Sequence, residues 1–401
     1  MKLIVMKFGG TSVGTIDKIN NVANIVEKQL NDKKLIVVLS AMSGVTNKMQ
    51  EYIDEIESNE IIENDLILTS GEAVSVGLLS AILKKRNIKS IPLLGWQIPI
   101  ITDSNHQKAK ILNIDKVRIY KYLNDYDVLV VAGFQGIDID GKITSLGRGG
   151  SDTTAVAVAA AVDADRCDIY TDVDGVYTTD PRQHKKAKKI KKIFYDEMLE
   201  MASLGSKVMQ PTSVQDAKLN KIDIKVKSSF VSKSGTLITG SKKTFSNQII
   251  TGISSTKNDA KITIVGVKDR PGVAASIFRP LSKNLINVDM VVQNISQNGK
   301  ETDLTFTIKS EDLKKTERLI KRNKSISYKK LSFDKDLSKV SIIGVGMITT
   351  PGITYRMFQA LASKKINILV ISTSEIKISV LISSKSVKKA VAVLHKEFKL
   401  D

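Results

Sequence analysis

The chain has 401 residues, 42% hydrophobic and 26% charged, with a formal net charge of +19. Single cores rarely grow beyond roughly 250–300 residues, so two or three domains are expected, and the ordinary composition excludes a mainly disordered chain. The charge suggests a nucleic-acid or membrane-surface partner, yet only 10 of the 61 basic residues are arginine and the lysines are scattered, whereas a nucleic-acid surface favours clustered arginine.

The opening apolar run, Leu3 to Met6, is too short for a signal peptide before Lys7 interrupts it. No stretch is read as a membrane span of about 18–20 apolar residues; Ala155 to Val162 comes nearest. Neither a nucleic acid nor a membrane is therefore expected as a partner. Short β-branched runs predict strands at 3–6, 35–39, 91–94, 128–131 and 167–170, with helices at 18–30, 72–84 and 152–162 between them. That alternation predicts an α/β fold with a largely parallel sheet, in which ligands bind beyond the carboxyl ends of the strands.

Residues 241–258 read as a connection. Beyond them Ile262, Gly266, Pro271-Gly272, Phe278, Leu281 and Ile286-Asn287 recur 80 residues later as Ile342, Gly346, Pro351-Gly352, Phe358, Leu361 and Ile366-Asn367. Strand, Pro-Gly turn, helix and two further strands repeat in each copy, the second closing on strands at 303–308 and 375–382. An 80-residue period is too long for a solenoid, so two tandem βαββαβ domains are expected. The single cysteine, Cys167, excludes an intrachain disulfide and fits a reducing, cytoplasmic setting. His106, His184 and His395 show no metal-ligand spacing, so no metal-binding residues are expected.

Three stretches and one residue pair carry chemistry. In Lys7-Phe8-Gly9-Gly10-Thr11-Ser12, directly after the first strand, the glycines let backbone N–H groups approach an anion and Lys7 adds a charge; an ordinary strand–turn–helix with an exposed lysine reads the same way. Gly147-Arg148-Gly149-Gly150-Ser151-Asp152 precedes an Ala/Val helix, with Ser151 or Asp152 placed as N-cap, and offers the helix N-terminus to an anion. Thr171-Asp172 through Tyr177 to Asp180-Pro181-Arg182 mixes acids, hydroxyls, an aromatic and a base, as a nucleotide site or a well-bonded surface loop would. Finally, Glu72 set opposite Arg148 would hold a zwitterion. The six lysines within 184–192 read as a solvated face.

Lys7–Ser12, Gly133-Phe134-Gln135-Gly136, Leu146–Ala155 and Thr171–Arg182 together resemble the aspartate kinases. So do Gly95-Trp96-Gln97, Ile101-Thr102-Asp103 and Ile371–Glu375, and the resemblance spans essentially the whole chain. It implies an amino-acid-kinase catalytic domain, an α/β/α sandwich, at 1–245. Two ACT domains follow at 246–333 and 334–401, with a strand near 249–253 completing the second.

The implied reaction transfers the γ-phosphoryl group of ATP, with Mg²⁺, to the β-carboxylate of L-aspartate. The runners-up are another amino-acid kinase, acting on acetylglutamate, glutamate or UMP, and a catalytically dead amino-acid sensor. By resemblance Lys7 and Asp152 serve the reacting centre. Glu72 and Arg148 hold aspartate, with Ser40, Thr46, Phe134, Gly149 and Ser151 lining its pocket. Lys7, Gly9, Gly10, Thr171, Asp172, Tyr177, Arg182 and Lys207 hold ATP.

Lysine or threonine is the implied effector, at Asp269, Gly272, Ala274, Asp289 and Gln293 facing Thr354, Asn367, Ile368, Ser374 and Glu375 of another ACT unit, in a homo-oligomer. Two departures from the family pattern, Lys227 for the usual Arg and Gln210 for the frequent His, fall outside the implied catalytic set.

Overall fold

The computed structural model describes residues 2–205, 208–241, 248–295 and 301–401. These form two compact units. The first takes in the chain up to Val176, Lys189–Ser203 and the residues from 208 to 241; the second takes in Tyr177–Lys188, residues 204–205 and the residues from 248 onward.

The first unit is built on an eight-stranded sheet. Its strands are β1 (Lys2–Phe8), β2 (Lys33–Leu39), β3 (Ser90–Leu93), β6 (Val128–Ala132), β9 (Arg166–Thr171), β10 (Lys192–Phe194), β11 (Ile224–Ser228) and β12 (Thr236–Thr239), in the order β10-β12-β11-β9-β1-β2-β6-β3. All neighbours are parallel except β11 and β12. A four-stranded sheet adds β4 (Ile100–Thr102), β5 (Ile111–Ile114), β7 (Gln135–Ile137) and β8 (Ile143–Ser145). The helices are α1 (Ile16–Gln29), α2 (Val45–Glu55), α3 (Ile61–Leu68), α4 (Ser70–Lys85), α5 (Lys116–Asp125), α6 (Gly150–Ala161), α7 (Tyr195–Ser203) and α8 (Pro211–Asn220).

Every residue of Leu35–Leu39 and Val128–Ala132 is fully buried. That is why these strands read as unbroken apolar runs: a parallel sheet covered on both faces has no polar side. In β1 the period of two decides the layers. Ile4, Met6 and Phe8 join a core with Ile19, Val22 and Val26 of α1 and Val76, Leu79 and Leu83 of α4. Lys7 therefore points to the other face, where α6 packs on β1.

Two expectations are corrected here. Ser151 and Asp152 are not the N-cap of α6: the cap is Gly149, at φ +74°, and both residues sit in the first turn. And Ile61–Lys85 is long and apolar enough to cross a membrane by length and composition, with half of its most apolar window buried in the unit. It is two successive helices that bury Asp65 and Glu72 and pack Leu68, Leu79 and Leu83 inward. Those contacts make it part of the core here.

In the second unit β13 (Gly252–Ser255), β14 (Asp259–Lys268), β15 (Val291–Ile295), β16 (Glu301–Lys309), β17 (Lys330–Ile343), β18 (Val370–Thr373) and β19 (Lys377–Ser383) form one sheet, ordered β15-β16-β14-β17-β19-β18 with β13 on β17. Helices α9 (Val273–Lys283), α10 (Leu313–Arg322), α11 (Ile353–Ala362) and α12 (Val387–Glu397) pack on it. The repeat is visible in the backbone: Gly272 and Gly352 cap α9 and α11 with the same φ of +87°. Neither site lacks room for a Cβ, so glycine is required there by the left-handed conformation alone.

The strand expected near 249–253 lies at Gly252–Ser255 and pairs antiparallel with the end of β17. β17 runs unbroken from pairing with β14 to pairing with β19, so the expected boundary between 333 and 334 falls inside a shared strand. Glu375 sits in the turn before β19 rather than in it.

Candidate active site

All the residues expected to hold aspartate, together with Lys7 and Asp152, line a single cavity of about 730 Å³ in the first unit. It lies at the carboxyl ends of β1, β2 and β6, as Lys7, Ser40 and Phe134 in its lining show. Lys7, near the end of β1, stands between Val38 of β2 and Ile169 of β9. Its Nζ lies 2.6 Å from Oδ1 of Asp152, and each side chain is only 12% exposed. Asp152 projects from the first turn of α6, so the lysine, the carboxylate and the helix N-terminus meet at one point.

Backbone conformation builds the rest of the wall. Phe134, a bulky residue, is held at φ +68°, a region costly for any side chain with a Cβ. Its N–H donates to Thr154 Oγ1 at 3.1 Å and its carbonyl accepts from Leu146 N–H at 3.0 Å. The ring lies where a Cβ on Gly150 would collide. Ser40 Oγ donates to Ser151 Oγ at 2.9 Å.

Glu72 is the electrostatic oddity of the cavity. It is 2% exposed, and Oε1 accepts from Ala41 N–H at 3.0 Å. The other oxygen, Oε2, is buried with no partner among the described residues. Burial pushes its carboxyl up to about 7, against the smaller opposing pull of the Ala41 N–H. Arg148, between two left-handed glycines, is exposed at the same cavity and has no ion-pair partner among the described residues.

The expected nucleotide set is divided. Gly9 and Gly10 follow β1 beside Lys7, and a Cβ at Gly10 would press on the Ala41 carbonyl. Thr171 ends β9 and Asp172 follows it, with Thr171 Oγ1 donating to Asp172 at 3.1 Å. Tyr177 and Arg182 belong to the second unit, where Arg182 makes a bidentate pair with Asp180. Lys207 lies outside the described residues. The expected effector residues are all in the second unit. Asp269, Gly272 and Ala274 flank the start of α9, and Gln293 is in β15 opposite Leu304. Asp289 is ion-paired with Lys339. Thr354 is in the first turn of α11, Asn367 and Ile368 precede β18, and Ser374 and Glu375 form the next turn.

Both departures acquire a place. Lys227 pairs with the fully buried Asp168 at 2.7 Å and lies over the Tyr170 ring, itself stacked on Phe8. Gln210 is not remote from the catalytic set: its side chain occupies the space a Cβ on Gly149 would need.

Asp65, which does not line the cavity but supports it, was not legible from the sequence. Fully buried, it accepts from Ser145 Oγ at 2.6 Å, from the N–H groups of Ser145 and Gln107, and lies 2.8 Å from His106 Nδ1. It thus staples the 103–110 loop to the strand that leads into Arg148. The one signal was an acid inside the apolar helix sequence of α3. Asp65→Ala leaves several buried donors unmet, each worth about 1–3 kcal/mol. The expected result is a lower Tm and a raised KM for the acceptor substrate, measured by thermal melts and initial rates.

Comparison with known proteins places the chain in a family. A model of the amino acid kinase family matches residues 2–228, and an ACT domain model matches 262–323 and again 340–398. The chain belongs to the amino acid kinase family. An aspartate kinase of Pseudomonas putida is 48% identical over 405 residues, spanning all of this chain and 98% of that one. An aspartokinase of Helicobacter pylori is 46% identical over 405 residues and spans both chains completely. Among solved structures, aspartokinase III of E. coli, determined with aspartate and ADP and separately with lysine and aspartate, aligns with a TM-score of 0.80 at 26% identity, covering 99% of each chain. The chain is, more narrowly, a member of the aspartate kinases, with two C-terminal ACT domains.

Proposed function

We propose that this aspartate kinase holds L-aspartate between Glu72 and Arg148 and transfers the γ-phosphoryl group of ATP to its β-carboxylate beside Lys7. The observation that carries the reading is the buried, unpartnered Oε2 of Glu72 in the same cavity as a guanidinium without an ion-pair partner. A buried charge is tolerable only when paired, so the ammonium of an amino acid supplies the partner that buried Glu72 lacks, while its α-carboxylate can pair with the exposed guanidinium of Arg148. An acceptor without a free amine leaves Glu72 unmet.

A carboxylate nucleophile with a pKa near 4 is already ionised at neutral pH and needs no general base. The barrier is the approach of one anion to another, so positioning and charge neutralisation are what the site must supply. Lys7 offers its ammonium to the transferring group, the N-terminus of α6 adds its partial charge, and Asp152 orients Lys7 rather than taking a proton. Gly9, Gly10, Thr171 and Asp172 are the proposed nucleotide contacts of the first unit. Mg²⁺ brought with ATP would be held here by Asp172, the exposed carboxylate just after β9, since Asp152 is engaged by Lys7. When bound it neutralises charge between the phosphates.

Assays with ATP and each of L-aspartate, L-glutamate, N-acetyl-L-glutamate and UMP test the reading. Turnover is expected with L-aspartate, and its absence there refutes the proposal. Regulation is proposed to run through the ACT domains, with lysine or threonine bound between copies of a cytoplasmic homo-oligomer and Glu375 meeting an effector ammonium. Glu375→Ala should shift the lysine inhibition curve to higher concentration while uninhibited turnover changes little. An unshifted curve counts against this site.

A further inference from the structure

We propose that His184, His395 and Asp401 form a binding site for a divalent transition-metal ion, of the zinc, cobalt or nickel class, within the second unit. The nearest ligand atoms of the three side chains all lie within 4.8 Å of one another. Asp401 Oδ1 lies 2.9 Å from His184 Nε2 and 2.5 Å from His395 Nδ1, and the two imidazole rings are 4.4 Å apart, tilted by 55°. Two imidazole nitrogens and one carboxylate oxygen, converging from two chain segments, the 177–188 stretch and the C-terminal helix with its following turn, make a donor set that suits zinc and its neighbours and not Mg²⁺ or Ca²⁺, which take oxygen ligands.

Each segment is locally fixed. His395 is fully buried in the last turn of α12. After it the chain curls back, with Phe398 N–H donating to Leu394 O and Leu400 N–H to His395 O, which brings Asp401 beside its ring. His184 is held by its own N–H to Asp180 O in the turn after Pro181. The remaining nitrogen of the buried ring is also engaged: His395 Nε2 is 2.8 Å from Thr178 Oγ1, which accepts from Lys188 N–H. A hydroxyl can accept as well as donate. With the imidazole proton on Nε2 and directed at Thr178, the Nδ1 lone pair is turned toward the other two ligands. Metal-binding histidines are characteristically oriented through their second nitrogen in this way.

The pocket is not sealed. The Asp401 side chain is 29% exposed and that of His184 14%, which leaves a path for an ion and a position for water. The facing cations are Lys186, 3.7 Å from Asp401 Oδ2 and 72% exposed, and Lys188. Lys186 can withdraw into water when an ion takes its place. An ion here would tie the 177–188 segment to α12 and the turn after it by coordinate bonds in place of hydrogen bonds. The sequence hid this site: His184 and His395 are 211 residues apart, and His184 sits in a lysine-rich run that looks like plain solvated surface.

The test is a Co²⁺ titration of the full chain, stripped of metal by chelator and with any affinity tag removed. One equivalent is expected to give an intense visible absorption of low-coordinate Co²⁺, lost on adding equimolar Zn²⁺. His184→Asn, in the more exposed segment, is expected to weaken binding by at least about tenfold, and Thr178→Val, which touches no metal, by about 10–100-fold. His395→Gln is expected to abolish the band, with circular dichroism checking its fold; should it not fold, His184→Asn decides alone. Only the weak colour of hydrated Co²⁺, or binding by His184→Asn equal to that of the unaltered chain, overturns the proposal.

Discussion

Lys7→Ala is expected to lower kcat by more than about a hundredfold, with the fold retained. Removing one preorganised charge-stabilising group from a transition state commonly costs about 2.7–4 kcal/mol, or 10²–10³ in rate. Lys7 has the attributes of such a group: a central strand fixes its backbone, it is 12% exposed, and its ammonium is held at 2.6 Å by Asp152. The substitution has a second effect that must be separated from the first. It leaves Asp152 largely buried without its partner, and breaking a buried pair costs up to about 3–5 kcal/mol, less here because both groups keep some contact with solvent. The double variant Lys7→Ala/Asp152→Asn removes both charges. It is expected to regain much of the lost Tm and none of the lost kcat. Saturating initial rates and thermal melts on the three proteins distinguish the roles. A near-native kcat in Lys7→Ala refutes the part given to Lys7.

How much of this was readable beforehand differs by layer. The sheet was, because a parallel strand buried on both faces leaves an apolar run such as Leu35–Leu39 that turn residues cannot imitate. The 80-residue repeat was, down to a shared left-handed glycine in each copy. The gathering of Lys7, Arg148 and Asp152 around one cavity followed from motifs after strands, while Glu72 enters it from the first turn of α4.

What escaped was set by tertiary partners. Nothing local to Asp65 announces that it will receive donors from residues about 40 and 80 positions away. The N-cap of α6 was misplaced because Ser151 and Asp152 are good caps by residue type, yet Gly149 takes the position: only it, backed by Gln210, fits the left-handed turn. The shared strand β17 was hidden because two repeats in tandem look separable on paper. A strand long enough to pair on both sides removes the linker that a boundary at 333 and 334 requires.

Glu72→Gln is expected to raise the KM for aspartate by about 10–100-fold with a smaller change in kcat, because a hydrogen bond to a buried charge is worth about 1.5–3 kcal/mol. The pH dependence makes the prediction specific. Burial lifts the Glu72 carboxyl from 4.5 to about 7 in the empty cavity. The substrate ammonium needs the carboxylate, so below that pH binding must first expel a proton, and KM should climb by about tenfold per unit as pH falls. Above about pH 8 it should level off.

Stability must move the other way. A carboxyl whose folded pKa lies above its unfolded value binds the extra proton in the native state. Its stabilising contribution is therefore complete below about pH 4.5 and is lost as pH rises through about 7. The empty enzyme should accordingly lose Tm across that window, and saturating L-aspartate should restore it, since its ammonium supplies the partner that Oε2 lacks. In Glu72→Gln both trends should flatten, the amide having no proton to exchange in this range. A KM profile as steep in the variant as in the unaltered enzyme would assign the titration to another group and remove Glu72 from the aspartate site.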